Sequence, residues 1–261
     1  MLNAHQPQPS PFVVQFQVSV TYLMALSLVL TGPLQLLFTR YAADRMVEKR
    51  GLLILPNLLG ALTLTLLISG AAAGLVLWIW FDVSLLYRLC MLAGFVTLCG
   101  IWIVVIFASS IKAYLQIFLA FLLGYGITLG AALGLREYGV EGMLFGFVLG
   151  QAVLFFVLLG VVVREYPGER LAAFDFLRRG RVFPSLLLTG FFYNLGIWAD
   201  KFILWADPFT SVAVIGPLRS SPIYDLPIFL AYLSNIPGMA ILSCKLERLE
   251  LETFMLQQAS G

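Results

Sequence analysis

Seven long apolar segments, separated by short polar loops, fill almost the whole chain of 261 residues. The hydrocarbon core of a bilayer is about 30 Å thick, so a helix needs roughly 20 apolar residues to cross it. None of the segments shows the alternation of a barrel strand, and helices are therefore predicted. The predicted spans are Phe12–Thr39, Leu52–Trp80, Leu89–Ser110, Ala113–Leu135, Gly142–Val163, Pro184–Ala206 and Leu226–Cys244.

The composition is that of a membrane protein. Hydrophobic residues make up 61% of the chain and charged residues 11%, whereas soluble domains contain about 25% charged residues. The net charge of +2 is too small to indicate nucleic acid as a partner. The single histidine, His5, lies in a polar leader, and the three cysteines show no metal-ligand spacing. We therefore expect an all-α membrane protein with no metal, cofactor or catalytic residues.

The distribution of Lys and Arg predicts the orientation of the chain. Cytoplasmic loops carry an excess of these residues. Twelve of them lie in the loops after spans 1, 3 and 5 and in the C-terminal tail, whereas three lie in the other loops. The N-terminus is therefore predicted outside the cell membrane and the C-terminus inside.

Two charged clusters mark the predicted cytoplasmic face. They dock a cytoplasmic partner or phospholipid headgroups, or they are ordinary positive-inside anchors. The clusters are Arg40, Asp44 and Arg45 at the end of span 1, and Arg178, Arg179 and Arg181 in the loop after span 5.

Spans 4 and 5 carry small residues at intervals of four. Such faces let two helix backbones approach closely in lipid, so we expect spans 4 and 5 to pack together through them. The glycines concerned are Gly126, Gly130 and Gly134 in span 4, and Gly142, Gly146 and Gly150 in span 5.

Span 6 carries Asp200 and Lys201 side by side, although a charge at the bilayer centre costs at least about 2.5–3.5 kcal/mol. Either they serve a function, or they reach the nearby interface by snorkelling. Aromatic rings with polar neighbours suit a sugar polymer, because rings stack on the sugar and polar groups bind its hydroxyls. The candidates for lining a substrate path are Tyr193, Asn194, Trp198, Asp200, Lys201, Tyr224 and Asp225.

Three strings carry a resemblance to a known family: TGPLQLLFTRYAADR from Thr31, FYNLGIWADKF from Phe192 and SPIYDLPIFLAYLSNIPGMA from Ser221. From about Gln15 to Glu247, the chain resembles the exporter (G subunit) of Pel exopolysaccharide systems. That family is related to the flippases of the multidrug/oligosaccharidyl-lipid/polysaccharide superfamily. The resemblance implies an inner-membrane exporter of a galactosamine-rich exopolysaccharide for the biofilm matrix. It also implies the lipid bilayer, the Pel D and E membrane subunits and the cytoplasmic Pel glycosyltransferase as partners.

The resemblance also implies a flippase-type bundle of two lobes, only part of which this chain contains. We expect the family's first helix and most of its second lobe to be missing. The expected divisions are a polar leader (1–11), five first-lobe spans (12–163), a basic cytoplasmic linker (164–183), two second-lobe spans (184–244) and a cytoplasmic tail (245–261).

Other function classes compete with export. A non-transporting assembly scaffold, or an inactive fragment of the exporter, is the main alternative because of the expected missing parts. A membrane enzyme is disfavoured, because the outer loops are short and no acid pair is spaced for a metal. A seven-span receptor is disfavoured for two reasons. The lysine within the spans, Lys201, lies in span 6 rather than in span 7, and no ligand-pocket pattern is present.

The predicted orientation can be tested with alkaline phosphatase, which is active only outside the cytoplasm. We expect activity for a fusion after Tyr138 and none for a fusion after Tyr166, since the loop charges place these two positions on opposite sides. The reverse pattern would contradict the orientation.

Overall fold

The computed structural model describes residues 10–108, 114–166, 168, 170–178, 183–231 and 233–234. Its long helices are α1 (Pro11–Val47), α2 (Ile54–Trp80), α3 (Leu85–Ala108), α4 (Tyr114–Gly134), α5 (Gly139–Glu165) and α6 (Pro184–Ala206). Short 3-10 turns cover Gly51–Leu53, Arg136–Tyr138 and Asp175–Leu177. After α6, the short strands β1 (Val212–Ile215) and β2 (Leu218–Ser220) pair, and a shorter apolar helix covers Pro222–Ala231.

Five of the described helices, α1 to α5, are long and apolar enough to cross a membrane. They agree with the predicted helical membrane protein. α6 has the predicted bounds but is not among the five, because Asn194, Asp200 and Lys201 lower its hydropathy. The seventh predicted span, Leu226–Cys244, lies largely outside the described residues, so the count of seven stays a prediction.

α1 is longer than its predicted span and ends at Val47 rather than at Thr39. Proline is favoured in the first helical turn, where its missing N–H needs no partner, and α1 begins there with Pro11. The helix continues through Pro33, where the sequence predicts a kink. It stops where Lys49 adopts a φ of 56° and the Arg50 N–H donates to the Arg45 carbonyl at 2.9 Å.

The chain divides into two compact units. The first comprises Met1–Asp200 together with Ala213–Arg219, and the second comprises Lys201–Val212 together with Ser220–Gly261. In the first unit, α3 packs against α1, α2 and α5, and α4 packs against α5. The centre of this bundle therefore lies along α3, where Cys99, Ile103 and Val104 are fully buried.

Side-chain hydrogen bonds join neighbouring helices inside the first unit. The Ser19 hydroxyl on α1 and the Tyr87 hydroxyl on α3 are 2.6 Å apart. About two helical turns further along α1, the Trp102 indole N–H donates to the Ser27 hydroxyl at 2.9 Å. Such bonds contribute about 0.6–2 kcal/mol each in a bilayer, and they fix which face of α1 meets α3.

The glycines of α5 make the predicted close approach to α4. A Cβ at Gly146 would lie 2.5 Å from the Ala132 nitrogen, and a Cβ at Gly150 would lie 2.5 Å from the Thr128 nitrogen. Gly142 is equally confined, by Leu135 and Tyr138 in the preceding turn. The α5 backbone therefore lies directly against its neighbours.

The prediction for α4 needs correction. A Cβ added at any of its three predicted packing glycines would meet nothing within 4 Å among the described residues; these are Gly126, Gly130 and Gly134. The contact with α5 instead involves Gly124 and Thr128, and the Gln151 amide of α5 donates to the Thr128 hydroxyl at 3.3 Å. Since Gly126 is two residues from Gly124, it faces roughly the opposite side of the helix.

This difference predicts unequal effects of the same substitution in the two helices. Gly146→Leu should lower the free energy of unfolding by about 1–3 kcal/mol, because overpacking forces the two backbones apart. Gly130→Leu is the matched control and should not destabilise the protein, since its position is open. Thermal unfolding in detergent measures both. Equal destabilisation would contradict the described α4–α5 contact.

Candidate functional site

One face of α6 carries Tyr193, Ile197 and Asp200, as the sequence predicts. Tyr193 is 66% exposed, Ile197 is also exposed and Asp200 is half-buried. Gly196 lies beside them, and a Cβ there would meet nothing within 4 Å among the described residues. This face of α6 is therefore open along its middle turns, with an aromatic hydroxyl on it.

The next stripe of α6 is different, because its side chains are buried. Asn194 is only 9% exposed, and its amide donates to the Gly190 carbonyl one turn earlier at 3.1 Å. Lys201 is 8% exposed and Trp198 is half-buried. The prediction that Asn194 lines a substrate path therefore needs correction, since this amide is used inside the bundle.

Asn194 lies where α1 and α6 touch. A Cβ at Gly190 would come within 3.0 Å of the Gly32 carbonyl group, and a Cβ at Gly32 would come within 3.0 Å of the Gly190 oxygen and the Asn194 amide. Only glycine at both positions permits this approach. The first and second predicted family strings thus meet at one point, which the sequence alone did not indicate.

In the second unit, Asp225 has a structural role. Its carboxylate accepts hydrogen bonds from the Trp205 indole at 3.1 and 3.3 Å and from the Ser221 N–H at 2.9 Å. Ser221 in turn donates to the Thr210 carbonyl at 2.8 Å. Asp225 thereby ties the start of the helix Pro222–Ala231 to the end of α6, so its predicted place on a substrate path needs correction. Tyr224 is half-buried beside it.

The three residues of the predicted docking cluster at the end of α1 differ in their exposure. Arg40 pairs with Asp44 at 3.4 Å, and both side chains are about half-exposed. The Arg40 guanidinium also lies 5.1 Å from the ring centroid of Phe183, just before α6. Arg45 is 4% exposed and pairs with Glu48, so it cannot belong to a docking surface, and that prediction needs correction.

Within the first unit, a segment of the predicted linker packs against α1 and α2. The Asn57 side-chain oxygen on α2 accepts from the Asp175 N–H at 2.7 Å and from the Phe176 N–H at 3.4 Å. Phe176 is fully buried, with its ring centroid 5.4 Å from that of Phe38 on α1. No sequence pattern indicated this contact, because Asn57 follows a proline in an apolar run.

Of the predicted docking arginines in the linker, Arg178 is described. It is exposed and its guanidinium lies 3.2 Å from the Asp175 carboxylate. Arg179 and Arg181 lie outside the described residues. Nearby, burial raises the pKa of the Tyr166 hydroxyl, and the adjacent Glu165 carboxylate raises it further. Within the described part of the chain, no group of three His, Cys, Asp or Glu side chains could hold a metal ion.

Long apolar helices joined by buried polar contacts, with one partly polar helix open on one face, define a multi-pass helical membrane protein. Comparison with family models gives one finding that narrows this class: residues 3–252 match the PelG model, described as an exopolysaccharide exporter (EPS-E). The chain belongs to this exporter family. Comparisons with curated proteins and with solved structures gave no match.

The linker contact predicts how the Asn57 end of α2 responds to mutation. Asn57→Ala leaves the Asp175 and Phe176 N–H groups unpaired at a cost of about 1–3 kcal/mol, which raises the undocked population about 5- to 150-fold. Trypsin should then cut faster after Arg170 and Arg178, because cleavage follows the open population. Thr63→Ala, also on α2 but bonded within its own helix, is the control. Unchanged cleavage in Asn57→Ala would contradict the contact.

Proposed function

We propose that this chain is an integral component of a bacterial inner-membrane exporter that moves a Pel-type, galactosamine-rich exopolysaccharide across the membrane for the biofilm matrix. It acts by flippase-type transport and is not an enzyme. The observation that carries the proposal is the match of residues 3–252 to the exopolysaccharide exporter family. The five apolar helices α1 to α5 support a polytopic membrane protein as its setting.

The open face of α6 is the proposed substrate path. Tyr193 is nine residues from the start of α6, about 14 Å along the helix. In the proposed sixth span, its hydroxyl would therefore lie deep in the bilayer. A hydroxyl facing lipid there would lack any hydrogen-bond partner, which costs free energy. A hydrated path that offers sugar hydroxyls to Tyr193 removes this cost. Asp200 lies on the same face, and the open position at Gly196 leaves room for a polymer.

The exposed charges at the end of α1 and in the linker are the proposed contacts with the synthesis machinery. Arg40, Asp44 and Arg178 are available for this, whereas Arg45 is buried. The proposed partners are the Pel D and E membrane subunits and the cytoplasmic Pel glycosyltransferase. With the linker inside the cell, the N-terminus of this chain would lie outside and the C-terminus inside.

Complementation tests the function of this chain directly. The 261-residue chain is expressed in cells that lack their own Pel exporter but keep the rest of the pathway, and secreted polymer and membrane-inserted protein are both measured. Restored secretion would support export. Membrane-inserted protein that binds its partners without secretion would contradict transport and favour the assembly scaffold.

Neutralising Asp200 tests the substrate path. Asp200→Asn should reduce secretion by roughly 10- to 100-fold without abolishing insertion, because a hydrogen bond to a charged group is worth about 1.5–3 kcal/mol. Asp207→Asn is the control, since the new amide can keep the bond that Asp207 accepts from the Phe209 N–H. Wild-type secretion by Asp200→Asn at normal protein levels would rule out this role, and a scaffold would tolerate both substitutions.

A further inference from the structure

The first unit contains a cavity of about 450 Å³ that the export function does not use. Its walls come from α1, α2, α3, α6 and the turn between β1 and β2, with Leu26, Ala73, Met91 and Leu218 among the lining residues. The volume lies within the range of about 300–1,000 Å³ that is typical of small-molecule sites. Ala73 and its neighbour Ala72 leave the space that larger side chains would fill.

The walls of this cavity are apolar. The hydroxyl of Tyr22, which also lines it, is already engaged, because it donates to the Arg219 carbonyl at 3.0 Å. The other lining side chains are aliphatic or aromatic, with Met91 the sole sulfur-containing one. A sugar would lose its hydrogen bonds with water here and gain none in return, whereas a hydrocarbon chain has none to lose.

The cavity is accessible from the side of the bundle. Leu26, Val76 and Trp80 line it and are also exposed on the surface of helices that are long and apolar enough to cross a membrane. Trp78 and Trp80 end α2, and tryptophan is enriched at membrane–water interfaces. The opening therefore faces the acyl chains just below one interface.

A cation lies at the same end of the bundle. Arg88 is one helical turn before Met91 on α3, and its guanidinium is 5.9 Å from the Trp78 ring centroid. It is 3.7 Å from the carboxylate of Asp82, which is fully exposed. The Arg88 Nε is buried and has no hydrogen-bond partner among the described residues.

We propose that this cavity binds one acyl chain of an anionic phospholipid, whose phosphate is bound by Arg88. The apolar walls take the chain, and the charged tip of Arg88, which lies beside the exposed Asp82, complements the charge of the headgroup. This site is separate from the proposed export path, and it stands whether or not the chain transports a polymer.

Native mass spectrometry of the detergent-purified chain tests the site, with 1-palmitoyl-2-oleoyl phosphatidylglycerol as the added lipid. The wild-type chain should retain one such lipid. Ala73→Phe, which fills the cavity, should weaken retention about tenfold or more, and tenfold corresponds to about 1.4 kcal/mol of binding free energy. Ala71→Phe adds the same bulk at a neighbouring exposed position that does not line the cavity, and it should retain the lipid.

Further variants separate the two halves of the proposal. Ala72→Leu fills the same space with less bulk and replaces Ala73→Phe if that variant does not fold. Arg88→Gln should keep a bound lipid but lose the preference for phosphatidylglycerol over phosphatidylcholine. Unchanged lipid retention by the filled variants would show that the cavity is not the site. Mass spectra in which a second copy of the chain binds in place of the lipid would also overturn the proposal. Equal retention of the two lipids by the wild type would overturn the role of Arg88.

Discussion

Inside a bilayer, apolar surface gains nothing by leaving lipid for another helix, so this bundle depends on close backbone contact and a few polar bonds. The α5 glycines at positions 146 and 150 bring that helix onto α4, and the hydroxyl pair of Ser19 and Tyr87 holds α1 on α3. Apolar side chains fill the space between these contacts but do not determine which helices pack together.

The same dependence on close backbone contact decides which stripe of α6 is buried and which is open. At Gly32 and Gly190 the backbones of α1 and α6 meet, and the amide of Asn194 is used beside that contact. The neighbouring stripe, with Tyr193, makes no comparable contact with the described residues. A helix fixed along one stripe and open along another can keep its place beside the proposed polymer path, which a loosely held helix could not.

Hydropathy was enough to predict where the helices lie, because the length of an apolar run is a local property. It could not predict which side of a helix meets a neighbour. Gly126, Gly130 and Gly134 have the spacing of a packing face, but they lie on the side of α4 that does not contact α5. The contact between Thr128 and Gln151 depends on two helices at once, so neither helix alone indicates it. For the same reason, sequence placed Asn194 and Asp225 on the path, although both are used in packing contacts.

The contact between α2 and the linker also sets an order of events during synthesis. Asn57 and Asp175 are 118 residues apart, so at about 5–20 residues per second the ribosome needs about 6–24 s to supply the partner. Until then the Asn57 amide has its bond to Leu53 within its own helix. Helices α3 to α5 must therefore all be made before this end of α2 acquires its final neighbours, and a nascent chain stalled within α5 would leave that end without its linker contact.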